Sequence, residues 1–106
     1  MAETIKQFLG TRYATAIGTS EVRLFDGTTA GNAFKRTGVL VHNMHASNII
    51  YVGDATGVSS TAHWYQINPG DTYLVPFSED LSFYAIASAA STTWRAQQVS
   101  VEDRGD

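Results

Sequence analysis

The chain has 106 residues, of which 43% are hydrophobic and 16% charged, with a net charge of −3 and no cysteine. That length fits one domain with a core of its own. Its seven Lys and Arg are scattered apart from Lys35-Arg36, so no basic stripe exists to neutralise a run of phosphates and no nucleic-acid partner is expected.

The lack of cysteine removes both a disulfide framework and a thiolate metal site. The charged fraction lies well below the usual ~25%, and Ser, Thr, Asn and Gln fill the difference. Such a surface suits packing against other protein, because fewer charges must be desolvated on contact. The start, M-A-E-T-I-K-Q-F-L-G, has no charged n-region followed by an apolar stretch, so no signal peptide is read. Nothing approaches the ~20 apolar residues of a membrane span. A soluble, unprocessed chain without a membrane partner is expected.

Residues 1–20 differ from the rest and read as an N-terminal arm. Ala2, Ile5, Phe8 and Leu9 could form two helical turns with one apolar side, although so short a helix is marginal alone. The following T-R-Y-A-T-A-I-G-T-S reads as extended. The arm either docks on another molecule or is a strand or helix tucked against its own domain.

A sandwich domain over 21–102 follows, with a frayed tail at 103–106. Val22 and Leu24 alternate with Arg23 and Phe25, and Asp26-Gly27 makes a turn. A loop around Gly31-Asn32 leads to a strand from Thr37 to Asn43, with Val39 and Val41 on one face and Leu40 and His42 on the other. Apolar residues on both faces suggest a central or doubly covered strand. Ile49 to Val52 resumes after the polar Ala46-Ser47-Asn48, a hairpin signature.

Trp64 to Ile67 is the next strand, and Asn68-Pro69-Gly70-Asp71 predicts a type II turn, with Pro presetting φ and Gly supplying φ > 0. Tyr73, Val75 and Phe77 then alternate with Thr72, Leu74 and Pro76. Leu81, Phe83, Ala85 and Ala87 alternate with Ser82, Tyr84 and Ile86. A small-residue turn over 88–91 precedes a long last strand from Thr92 to Val101. Seven or eight strands at roughly 8–12-residue spacing predict an all-β fold, a single antiparallel sandwich or barrel.

These residues also carry a resemblance. V-H-N-M-H-A-S-N-I-I-Y-V-G (41–53), G-V-S-S (57–60), I-N-P-G-D (67–71) and F-Y-A-I-A (83–87) resemble small β-sandwich virion proteins of tailed bacteriophages. The resemblance covers about residues 39–101 and rests on turn-and-strand punctuation. It implies a jelly-roll-like capsid decoration (cement) protein or a related head or tail accessory, often homotrimeric. It further implies a place on the outer capsid surface of the virion after synthesis in the host cytoplasm, with the major capsid protein as partner. Ile5, Phe8, Leu9 and Tyr13 are then the expected anchors, since aromatic and aliphatic side chains dominate interface hot spots.

Residues that could carry chemistry form no recognised pattern. His42, His45 and His63 raise a cupin-like metal site, but His42 and His45 are three apart, on opposite faces of a continuing strand. No Glu follows at the required spacing. No G-x-S-x-G is present, and Glu79-Asp80, Asp54 and Asp71 sit in turns where acids are expected for solvation. No catalytic residue, metal ligand or cofactor is assigned. His63, Trp64 and Tyr65, with Tyr51, Tyr73, Tyr84 and Trp94, could form an aromatic platform for a glycan, as in a head- or tail-fibre module. A core or subunit interface also uses such residues. The terminal Arg104-Gly105-Asp106 is read as a chance triplet.

Overall fold

The computed structural model describes residues 3–24, 37–77 and 81–103. Its strands are β1 (Glu3–Tyr13), β2 (Val22–Arg23), β3 (Gly38–Asn43), β4 (Ile50–Gly53), β5 (Tyr65–Ile67), β6 (Thr72–Val75), β7 (Tyr84–Ala87) and β8 (Trp94–Asp103). Two four-stranded antiparallel sheets result, one ordered β1-β8-β3-β6 and the other β2-β7-β4-β5. The pairs β1–β8, β2–β7, β3–β6 and β4–β5 nest and alternate between the sheets, so nearly every connection crosses the sandwich. Among the described residues there is no helix, and none long and apolar enough to cross a membrane.

Alternation along each strand builds the core. Val39 and Val41 from β3, Ile50 and Val52 from β4, Ile67, Val75, Ala85 and Ala87, and Trp94 and Ala96 from β8 all point between the sheets and are buried. Each large aliphatic among them contributes roughly 1.5–3 kcal/mol of burial. A succession of rings threads the same space. Tyr13 meets Trp94 edge-on at 5.7 Å, Trp94 stacks on Phe83 at 6.2 Å, Phe83 meets Phe77 at 6.3 Å, and Phe77 meets Tyr65 at 6.1 Å. Aromatic pairs at such spacings add to the stabilisation from area alone.

Two expectations change, and a third group falls where the structure gives no description. The helical turns expected near the N-terminus give way to β1, which pairs along β8 from Glu3↔Asp103 to Tyr13↔Ala96 with irregularities between Ile5 and Gln7 and between Leu9 and Tyr13. A ladder of backbone hydrogen bonds to a neighbouring strand outweighs a two-turn helix with nothing to pack on. The runs 37–43 and 49–52 are not a hairpin, because β3 lies in one sheet and β4 in the other. Finally, the predicted turn at Asp26-Gly27, the loop at Gly31-Asn32, the Glu79-Asp80 pair and the Arg104-Gly105-Asp106 triplet lie outside the described residues.

Asn43 explains the crossing. It is fully buried at the end of β3, and its Nδ2 donates to the carbonyls of Asn48 (2.8 Å) and Ile67 (3.0 Å) while its Oδ1 accepts from the His45 N–H (3.0 Å). Its backbone N–H donates to the Asp71 carbonyl, and its own carbonyl accepts from Gly70. One side chain thus ties the β3–β4 connection to the β5–β6 turn. That turn is the predicted type II: Gly70 has φ +80° and the Asp71 N–H closes on the Asn68 carbonyl at 3.0 Å. The other connections at this end join in. Asn48 Nδ2 donates to Thr92 Oγ1 (2.9 Å), Ile17 and Thr92 exchange backbone bonds, and Trp94 Nε1 donates to the Thr15 carbonyl (2.8 Å). Because β4 runs away from this end, the β4–β5 loop emerges at the opposite one.

Candidate functional site

The histidines do not converge. His42 stands exposed on the outer face of the first sheet, between Thr72 and Arg95. His45 Nδ1 accepts the backbone N–H groups of Ser47 (3.1 Å) and Asn48 (3.0 Å), a role that requires that nitrogen to be unprotonated. His63 Nδ1 lies 3.0 Å from the Ser59 carbonyl, which can only accept, so here the proton sits on Nδ1. Among the described residues no three of His, Cys, Asp and Glu gather as a metal site. Asp71 belongs to the type II turn and Asp54 to the loop described next.

The β4–β5 loop folds back over the outer face of the second sheet. Gly53 makes room for this, since a Cβ there would stand 3.3 Å from Val58 Cγ2, and Val58 is buried against it. Glu21 accepts the Gly57 N–H at 2.8 Å, and Ser59 Oγ accepts from Thr61 and Ala62. The His63 ring lies 4.9 Å from that of Tyr51. At the end of this pinned loop the Trp64 N–H donates to the Val52 carbonyl at 2.8 Å, while the residue is 68% exposed. The indole Nε1–H donates to Asp54 Oδ1 at 3.0 Å. A cleft of about 310 Å³ opens beside them, lined by the 53–58 segment and by Ala62, His63 and Trp64.

His63, Trp64 and Tyr65 therefore do not act as one platform. His63 packs on Tyr51, Trp64 faces solvent, and Tyr65 turns toward the core, its ring 5.1 Å from Tyr73 and 6.1 Å from Phe77. Burial, helped by the neighbouring Tyr73, pushes the Tyr65 phenol above its ordinary value.

A second surface lies on the outer face of the first sheet. Trp94 and Ala96 point inward, so Arg95 and Gln97 point outward, and Phe8 pairs with Val99 further along β8. A groove of about 420 Å³ runs between Phe8, Leu40 and Met44, edged by Arg12, His42 and Arg95, and among the described residues no acidic one lines it. Phe8 is 56% exposed there and Ile5 is half-buried. All four expected anchors lie on β1, and of them Phe8 lines this groove. Tyr13 is instead packed on Trp94. Leu9 pairs with Gln98, and its side chain lies outside the described part.

Two features escaped the sequence reading. The Asp54–Trp64 bond had a usable signal, since the residues just after β4 and just before β5 flank one hairpin loop and must approach each other. The groove also had one: Arg95 stands between Trp94 and Ala96, two inward residues, and so had to face out. No family model, no curated protein and no solved structure matches this chain.

Proposed function

We propose that the protein is a non-enzymatic structural component of a phage virion, a capsid decoration protein that seats on the assembled head as a homotrimer and strengthens it. The observation that carries the reading is the groove on the outer face of the β1-β8-β3-β6 sheet. Exposed Phe8 and Met44 with Leu40 offer apolar contact, and Arg12, His42 and Arg95 edge it with positive or titratable donors. On a chain of net charge −3, a groove whose described lining holds basic residues and no carboxylate fits a capsid surface that presents an acidic side chain beside an apolar one. The nested strand pairing supports a jelly-roll reading, an architecture shared by viral capsid and lectin domains.

The mechanism is mass action. A subunit that binds only the assembled lattice stabilises it by RT ln(1 + [L]/Kd) per site, about 2.7 kcal/mol at a hundredfold excess over Kd. Several grooves on one closed oligomer engaging neighbouring capsomers add avidity without new contacts. The contact is then a sheet face that includes β1, rather than a free arm reaching outward.

Co-sedimentation with expanded heads tests this, using Phe8→Glu and Arg95→Glu. Each variant is expected to stay folded, and each should weaken binding by roughly 2 kcal/mol, about thirtyfold in Kd. Wild-type attachment by both variants overturns the proposal, as does a monomer that binds heads with undiminished affinity.

A further inference from the structure

The β4–β5 loop holds a feature that capsid attachment through the opposite sheet does not use. Trp64 carries the most exposed large ring among the described residues, yet it is not loose. Its backbone N–H is tied to Val52, its indole N–H to Asp54, and the loop beneath it to Glu21 and to Val58 packed on Gly53. An indole that merely tolerated water would need none of these restraints. Fixing the ring in advance removes the ordering cost that a ligand would otherwise meet.

We infer that Trp64 and Asp54 form a binding subsite for one neutral hexopyranose ring. The exposed indole face offers a flat apolar surface on which the C–H face of a pyranose can stack. Tying the ring's polar edge to Asp54 leaves that face clear, with no competing donor. Asp54 makes no hydrogen bond other than that to Trp64 among the described residues, so its carboxylate retains acceptor capacity for sugar hydroxyls. A hydrogen bond from hydroxyl to carboxylate is of the stronger, charge-assisted kind. The adjoining cleft, about 310 Å³, matches the lower end of small-ligand sites. Among the described residues no Lys or Arg lines it, and the carboxylate repels anions, so sialic acid and other acidic sugars are disfavoured.

The test is an NMR titration of the intact labelled protein with methyl glycosides of glucose, galactose, mannose and N-acetylglucosamine, with sialic acid as the anionic control. At least one neutral glycoside should shift the Trp64 indole N–H and the amides of residues 53–58 saturably, while the buried Trp94 indole stays still. Trp64→Ala should abolish the response, with the β3 and β8 amides unchanged as proof of folding. Asp54→Ala should weaken it at least tenfold. The inference is overturned if no neutral glycoside gives a saturable shift up to about 100 mM, far above a millimolar Kd. It is equally overturned if shifts survive Trp64→Ala, if Asp54→Ala leaves the affinity unchanged, or if only sialic acid binds. None of these outcomes depends on head attachment, which Phe8 and Arg95 test separately.

Discussion

Asn43 and Ile67 lie in different sheets, and the buried amide of Asn43 donates to the Ile67 carbonyl across 3.0 Å. With the bonds to Asn48 and from His45, this side chain satisfies all the polar groups it brings into the interior. Asn43→Ala should therefore cost about 3 kcal/mol, because it takes a donor from the buried Ile67 carbonyl and the part-buried Asn48 carbonyl and removes three bonds. Asn43→Asp should cost at least as much at neutral pH, since a carboxylate cannot donate to those carbonyls. Urea denaturation of both variants is the check, and a loss under about 1 kcal/mol would remove Asn43 from this role.

Tyr13 and Phe8, both expected as anchors on one arm, should separate cleanly. Tyr13 packs on the fully buried Trp94, so Tyr13→Ala should destabilise the domain by about 2–4 kcal/mol. Phe8 is mostly exposed, and Phe8→Ala should stay within about 0.5 kcal/mol of wild type. Thermal denaturation distinguishes the two, and equal losses would contradict the placement of β1.

Much of the fold was legible because strands write their burial with a period of two. Leu81, Phe83, Ala85 and Ala87 were grouped on one face by alternation alone, and Phe83, Ala85 and Ala87 are buried. The Asn68–Asp71 turn was legible because Pro and Gly restrict φ locally. What could not be read was the choice of partner. Nothing in Asn43-Met44-His45-Ala46-Ser47-Asn48 says whether the chain returns beside itself or crosses to the other sheet, because that depends on a carbonyl at Ile67. The site was half legible for the same reason: His63-Trp64-Tyr65 stood out as aromatic, but their three separate directions follow from loop bonds to Val52, Ser59 and Asp54.

Gly70→Ala offers a test of the turn with little confounding. Gly70 has φ +80°, and the space that an added methyl group would occupy is open, so the substitution meets no clash and the penalty is conformational. A loss of about 1–2 kcal/mol is expected by chemical denaturation. A neutral result would mean that the turn relaxes without disturbing the Gly70–Asn43 bond.

Alkaline pH should loosen the β5–β6 corner. The Tyr65 phenol is held above the ordinary 10.0 by burial, then by Tyr73 beside it. A folded-state value above the unfolded one means this contribution to stability is whole below the unfolded value and is lost as pH rises through the folded one. Stability should therefore fall from about pH 10 upward, and Tyr65→Phe should flatten that fall. Difference absorbance between wild type and Tyr65→Phe should isolate a phenolate that forms later in the folded protein than in the unfolded one; the same titration in both states would contradict it.

The order of strands in the first sheet also fixes an order in time. Both β1 and β3 take β8 as a neighbour, and β8 leaves the ribosome after every other described strand. β1 must therefore wait until the other described strands have been made before it can pair with β8. Such distant closure slows folding and leaves strand edges open meanwhile. We expect a nascent chain ending before Trp94 to be captured by chaperones, and the full chain to refold in milliseconds to seconds by stopped-flow tryptophan fluorescence. Microsecond refolding would show that β1 does not wait.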